Sequence, residues 1–210
     1  VRAVVRSAVG RGIDCIGIRR GWNGLINSDF IHMNASSVSH IINKGGTMLY
    51  TARSEEFMES SGRAKALATC KLLGLDGIVA IGGDGTFRGA TDLSARGIPT
   101  IGIPGTIDND LAYTEMTLGY DTAVNSCIDD IRAIRATSRS HDRPGVVEVM
   151  GRHCGDIALK AACATGSEIV VVPEVPWSVE EVASRLNKQI AKGNYRSTIV
   201  LAEGCWESMA

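Results

Sequence analysis

The sequence predicts an α/β fold, a three-layer sandwich of helices around a mostly parallel sheet, on three observations. Five short runs rich in β-branched residues recur along the chain: "GIVAI" (77–81), "PTIGI" (99–103), "VVEVM" (146–150), "EIVVV" (168–172) and "TIVLA" (198–202). Near-continuous apolar runs suit strands buried on both faces, as in a parallel sheet. Helix-like stretches separate them, and strand alternating with helix is the α/β pattern. Glycine-rich loops follow two of the strands, where such sheets bind their ligands.

The elements can be justified in order. A helix is predicted from about Arg2, a strand within "DCIGIRR" (14–20) and a helix around "GRAKALATCKLLG" (62–74), the first 75 residues being the least regular. Further helices are predicted in "TFRGATDLSARG", "LGYDTAVNSCIDDIRAIRAT", "DIALKAACAT" and "SVEEVASRLNKQIAKG". In the last, Ser178 and Glu181 form a capping-box signature and Gly193 marks the stop. No linker, internal repeat or low-complexity segment interrupts the run, so one compact α/β unit is expected.

Composition excludes several function classes. The 210 residues are 44% hydrophobic and 21% charged, with a formal net charge of -1, the profile of a globular protein. Partners such as nucleic acid or an anionic membrane normally demand clustered basic residues. The chain has no apolar run of the roughly 18 to 20 residues that a membrane span needs. "VRAVVRSAVG" lacks the apolar core of a signal peptide, so a cytoplasmic location is expected. The six cysteines (15, 70, 127, 154, 163, 205) contain no C-x-x-C pair and the four histidines (32, 40, 141, 153) no metal-ligand spacing, which points away from zinc and from a disulfide scaffold. A metal, if used, should be held by oxygen.

Two loops carry the chemistry. "GGDGT" (82–86) follows a strand and opens a helix, so its glycines let backbone approach a phosphate while the helix presents unpaired N–H groups to it. Gly83, Gly85 and Thr86 belong to this loop, and Asp84, which can hold only cations, is the candidate Mg²⁺ ligand; the plain alternative is a glycine turn capped by Asp. The next strand ends in "PGTIDND" (104–110). In an extended loop residues two apart point the same way, so Asp108 and Asp110 are expected to face one side, with Ile107 and Asn109 on the other. Both acidic loops should lie on one sheet edge and share a ligand. Two carboxylates beside a Mg²⁺–nucleotide can divide the labour, one taking a proton from an attacking hydroxyl and one attending to the metal.

Taken together and in order, "IGGDGTFRGA", "GIPGTIDND", "TSRSHDR", "VVEVMGRHCGD", "EIVVVPE" and "VLAEG" resemble the bacterial type of ATP-dependent 6-phosphofructokinase, through nearly the whole chain. The resemblance implies the Rossmann-like fold of that family, with an ATP-binding half at about 1–120 and the start of a sugar-phosphate half at about 121–210. It implies a glycolytic reaction, transfer of the γ-phosphoryl of MgATP to the 1-hydroxyl of fructose 6-phosphate. Asp108 would then be the general base, Asp84 the Mg²⁺ ligand, Asp110 an electrostatic aid, and Thr106 a contact of the transferring group. Arg53 in "TARSEEF" and Arg152 in "MGR" would neutralise charge developing on it. Met150, Gly151 and Glu203 would line the sugar site, and Arg143 in "SHDR" would reach the 6-phosphate from a neighbouring subunit, implying a homotetramer. Duller alternatives stand beside these: Arg53 and Arg143 as solvated charges, Met150 as core, Glu203 as a turn cap.

Within the resemblance, Gly85 and Gly105 imply ATP as donor, since pyrophosphate-dependent relatives carry bulkier, charged residues there. Arg2 and Arg6, one helical turn apart, with Arg135 and Glu168 match an effector site for a nucleoside diphosphate such as ADP or for phosphoenolpyruvate. Lys44, where many relatives have arginine, lacks the bidentate fork, and Ser54 replaces an aromatic residue that packs on adenine. The family pattern also places a first strand and phosphate loop before Val1 and more sugar-phosphate ligands after Ala210, so 210 residues alone are expected to be inactive. Two rival readings are another GGDGT kinase acting on NAD or a lipid-like alcohol, which leaves "PGTIDND" and "MGR" unexplained, and a catalytically silent paralogue that binds nucleotide.

Overall fold

A computed structural model describes residues 1–209, and its backbone divides between Ile103 and Pro104 into two compact units, Val1–Ile103 and Pro104–Ala210. No linker marks this division in the sequence.

The first unit runs α1 (Arg2–Val9), β1 (Cys15–Ile18), α2 (Gly21–Ile26), β2 (Phe30–Met33), α3 (Glu55–Met58), α4 (Ser60–Leu72), β3 (Ile78–Gly82), α5 (Asp84–Ser94) and β4 (Thr100–Pro104). β1 and β2 form an antiparallel pair with Cys15 opposite Met33 and Ile18 opposite Phe30, and β3 pairs with β4 in a second sheet. Three of these elements, α2, β2 and α3, are not predicted from the sequence. Two glycines in "GWNGLI" weaken any helical pattern, yet α2 forms because Leu25 and Ile26 bury against Phe57, Ala66, Cys70, Leu93 and Ile98. Gly24 is required there, since a Cβ would lie 1.6 Å from the Arg19 carbonyl oxygen.

The second unit contains α6 (Tyr120–Ser140), β5 (Gly145–Val149), α7 (Asp156–Thr165), β6 (Ile169–Val171), α8 (Val179–Ala191), β7 (Thr198–Ala202) and a 3-10 turn at Glu203–Glu207. The sheet order is β5-β7-β6 and both pairings are parallel. β7 is central, which explains its uninterrupted apolar sequence: every one of its residues is buried. Ile199, Val200 and Leu201 pack with Tyr120, Ile131, Val149, Ile157 and Val171 into one core, each such side chain contributing on the order of 1.5–3 kcal/mol through burial. α8 starts as its sequence requires, the Ser178 hydroxyl accepting the Glu181 N–H at 3.2 Å, and stops before Gly193 at φ +86°.

Parallel pairing sets what emerges at the carboxyl edge. Val149 stands opposite Ala202, so the residues that follow, Met150 on one strand and Glu203 on the next, leave the sheet side by side. The third strand, β6, leads into Glu174 from the same edge. The chain thus delivers three separated segments to one place.

Candidate active site

In the first unit the glycine loop opens α5 as expected. Gly83 is the N-cap residue in extended conformation and Asp84 occupies the first turn, where a carboxylate interacts favourably with the helix dipole. Thr86 folds back over Gly82: a Cβ there would lie 2.3 Å from the Thr86 hydroxyl, so Gly82 and Thr86 are required as a pair. Asp84 makes an ion pair with Arg88 at 2.9 Å, one helical turn on. With Arg88 81% exposed, such a pair is weak and readily exchanged for a cation. Arg88 is legible from the i,i+4 spacing but is not among the residues singled out above. The described residues contain no group of three or more metal-ligating side chains. One hard carboxylate fits Mg²⁺, which keeps several waters and takes remaining ligands from bound phosphates. Arg53 lies exposed in the loop before α3, and Ser54 has a structural duty, its hydroxyl accepting the Phe57 N–H at 3.3 Å as N-cap of that helix.

In the second unit the "PGTIDND" loop is bent rather than extended. Asn109 sits in the left-handed region at φ +55°, so simple alternation does not determine the facing of Asp108 and Asp110. Ile107 packs on the core, while the Asp108 N–H donates to the Thr106 hydroxyl at 3.2 Å. The Asp110 carboxylate, 20% exposed, lies 3.9 Å from the Arg152 guanidinium. Asp108 is half-buried. Burial pushes its carboxyl above the usual aspartate range, the charges of Asp110 and Glu203 add to this, and hydrogen bonding by Thr106 and the charge of Arg152 act against it. A carboxylate so placed is a stronger base than a solvated one.

Arg152 is aimed by a strained turn. Gly151 has φ +146° and Arg152 φ +55°, and a Cβ at Gly151 would stand 2.5 Å from the Cys154 carbonyl. The turn is held by Glu203, whose Oε1 accepts the N–H of Arg152 at 2.5 Å and of Gly151 at 3.3 Å. Gly204 completes the fit, since a Cβ there would meet the Arg152 carbonyl oxygen at 2.2 Å. Glu174 performs the same service one turn later, accepting the Gly155 N–H at 2.8 Å. Met150 is 60% exposed at the end of β5, which removes its reading as core. Asp108, Asp110, Arg152, Gly151, Met150 and Glu203 are therefore brought to one place; Gly204 and Glu174 are not singled out by the sequence, because their contacts cross from strand to strand.

The other predicted residues lie elsewhere. Arg143 is exposed in the turn after α6 and makes no ion pair among the described residues. Arg135 is largely buried and meets Glu168 at 3.3 Å; it also donates to the Gly166 carbonyl at 3.0 Å, and Glu168 accepts the Thr198 N–H at 2.7 Å. A shallow cleft beside this pair is lined by Arg132, Arg135, Arg139 and Thr165. Arg2 and Arg6 flank Val5, the residue by which α1 is buried.

A glycine loop opening a helix in one unit, and in the other a carboxylate pair set against an arginine turn at the carboxyl edge of a parallel sheet, place the chain in the α/β class with its candidate site at loop ends. Comparison narrows this: the model of the family described as phosphofructokinase matches residues 1–210, and the chain belongs to that family. Over 204 residues it is 55% identical to an ATP-dependent 6-phosphofructokinase of Clostridioides difficile (strain 630) and 52% identical to one of Alkaliphilus metalliredigens (strain QYMF), covering 97% of this chain and 64% of each relative. The chain thus spans about 64% of the length of the curated relatives it matches. Among solved structures, Pichia pastoris phosphofructokinase in the T-state aligns with a TM-score of 0.89 at 32% identity, over 97% of this chain and 26% of that one. A pyrophosphate-dependent phosphofructokinase from Marinobacter aquaeolei, 20% identical, shares the fold with a TM-score of 0.76 over 96% of this chain and 55% of that one.

Proposed function

We propose that the intact protein to which this chain belongs transfers the γ-phosphoryl group of MgATP to the 1-hydroxyl of fructose 6-phosphate, giving fructose 1,6-bisphosphate and ADP. The observation that carries the reading is the half-buried Asp108 carboxylate, set between Asp110, Arg152 and Glu203 and displaced toward greater basicity; the naming of the curated relatives supports the substrates.

In this reading Asp108 takes the proton of the 1-hydroxyl as its oxygen forms the bond to phosphorus and the bond to ADP breaks. Arg152 and Arg53 neutralise charge on the phosphoryl oxygens, and Thr106 holds the transferring group. Electrostatic stabilisation and positioning are what an enzyme can contribute to phosphoryl transfer. Asp84 would hold Mg²⁺, which when bound supplies charge neutralisation at the phosphates. Met150, Gly151 and Glu203 shape the sugar site, with Arg143 serving the 6-phosphate across a subunit boundary in a cytoplasmic homotetramer. Arg135 and Glu168 in the second unit and, separately, Arg2 and Arg6 in the first would serve an anionic effector, ADP or phosphoenolpyruvate, a reading that the basic cleft beside Arg135 favours for the first pair.

The test is ADP release from MgATP by the intact gene product, with fructose 6-phosphate or NAD as acceptor. Turnover that depends on fructose 6-phosphate and is lost in Asp108→Ser supports the proposal. MgATP binding without turnover on either acceptor overturns it in favour of a silent paralogue.

A further inference from the structure

One residue of the acidic loop has no role in the reading above, though it stands between the two carboxylates. Asn109 adopts φ +55°, a region in which Asn is tolerated better than most residues. A turn former needs no more than that. The Asn109 side chain nevertheless makes three hydrogen bonds to distant segments. Its Oδ1 accepts the Thr117 N–H at 3.0 Å and the Thr117 hydroxyl at 3.3 Å, and its Nδ2 donates to Asp156 Oδ2 at 3.0 Å. The orientation of the amide is dictated by its partners: a backbone N–H can only donate and an ionised carboxylate can only accept. Thr117 is 2% exposed, so the bond to its N–H is shielded from water.

Thr117 leads into α6, and Asp156 opens α7 directly after the turn that carries Arg152. One amide therefore ties the loop bearing the base to both neighbouring helices and, through Asp156, to the segment bearing the arginine. We propose that Asn109 is a positioning residue for phosphoryl transfer, holding Asp108 and Asp110 in register with Arg152 through its bonds to Thr117 and Asp156. The inference rests on the function proposed above. A carboxylate displaced by about 1 Å forfeits on the order of 100-fold in rate, so the tie acts on the chemical step rather than on substrate binding.

Asn109→Gly in the intact gene product separates positioning from turn formation, because glycine accepts the left-handed backbone and lacks the amide; Asp156→Ala, which leaves the backbone at 109 unchanged, controls for the freedom that glycine adds. The expected result is a fall in kcat of about 10- to 100-fold, with KM for MgATP and for fructose 6-phosphate within about threefold. Asp156→Ala should show the same split, and the double variant should fall no further than the worse single one, as residues acting through one bond are not additive. An unchanged kcat in Asn109→Gly, or a loss confined to KM or thermal stability, overturns the inference. Hydrogen exchange at the Thr117 amide supplies a reading independent of turnover: faster exchange in Asn109→Gly is expected, and unchanged exchange overturns the tie. Should wild type fail to phosphorylate fructose 6-phosphate, the proposed function falls, and Thr117 exchange still decides whether Asn109 holds the loop.

Discussion

Glu203 Oε1 accepts the backbone N–H of Arg152 at 2.5 Å, so a carboxylate at the end of one strand fixes the arginine turn at the end of its neighbour. The relationship follows from register, since Val149 and Ala202 are partners in the parallel ladder. Truncating Glu203→Ala leaves two backbone donors without their acceptor and should cost about 1–3 kcal/mol of stability. It should also lower kcat more than Glu203→Gln, which keeps an acceptor oxygen. Thermal unfolding and steady-state kinetics of the two variants check this; equal kcat losses would assign Glu203 to substrate charge instead.

Asp108 yields a pH prediction. Its carboxyl is held above the usual range, chiefly by burial and then by Asp110, and a general base works only when ionised, so kcat/KM should fall on the acid side through that raised value. Asp110→Asn removes a charge that raises it, and the acid limb should move to lower pH. Arg152→Leu removes a charge that lowers it, and the limb should move to higher pH while kcat drops. Profiles moving the opposite way would remove Asp108 from the role of base.

The same displacement affects stability. A carboxyl whose folded value lies above its unfolded one favours folding while protonated, and that contribution is lost as pH rises through the folded value. Above that folded value the ionised Asp108 is therefore a burden on the fold. Asp108→Asn should raise Tm at pH 7, and the gain should vanish below the unfolded aspartate value. A Tm unchanged at pH 7 would show that the loop relaxes around the charge.

How much of this was legible depends on whether a feature is local. The strands β3 to β7 are found to within about a residue because each is a short apolar, β-branched run; burial on both faces holds for the central β7 but not for β3 and β4, where Val79, Ile81 and Ile101 are exposed. "FIHM" is not found, being four residues with a histidine inside, and "GWNGLI" became a helix only through the burial of Leu25 and Ile26. At the site, Asp108, Arg152 and Glu203 stand out in short local motifs, "PGTIDND", "MGR" and "VLAEG". Asn109, Glu174 and Gly204 do not, because each acts through a contact that exists only once the chain is folded: Asn109 to Asp156 spans 47 residues and Glu174 to Gly155 spans 19.

Gly204 carries a further prediction. A Cβ at this position meets the Arg152 carbonyl at 2.2 Å and the backbone of His153 at 3.2 Å, and backbone cannot yield as a flexible side chain can. Gly204→Ala should therefore push the arginine turn away, destabilising by roughly 1–3 kcal/mol and lowering kcat beyond what the stability loss explains. A variant with wild-type kcat and reduced Tm would show that the turn shifts without consequence for Arg152.

The reading of ATP as donor can be tested at two glycines. At Gly85, in the first turn of α5, a Cβ would meet nothing within 4 Å. An aspartate there is sterically free and suits a helix N-terminus, so its effect on stability should stay within about 0.5 kcal/mol and any change in activity can be read as chemistry. Beside a bound nucleotide the added carboxylate would face phosphate oxygens of like charge, and Gly105→Lys would add bulk and a cation in the second loop. The double variant Gly85→Asp, Gly105→Lys of the intact gene product should lose ATP-dependent turnover by at least about 100-fold, the equivalent of about 2.7 kcal/mol in transition-state stabilisation. Parallel assays with MgATP and with pyrophosphate check this. Unchanged ATP turnover would mean that these two positions do not set the space available to the nucleotide, and the donor would have to be assigned from elsewhere in the protein.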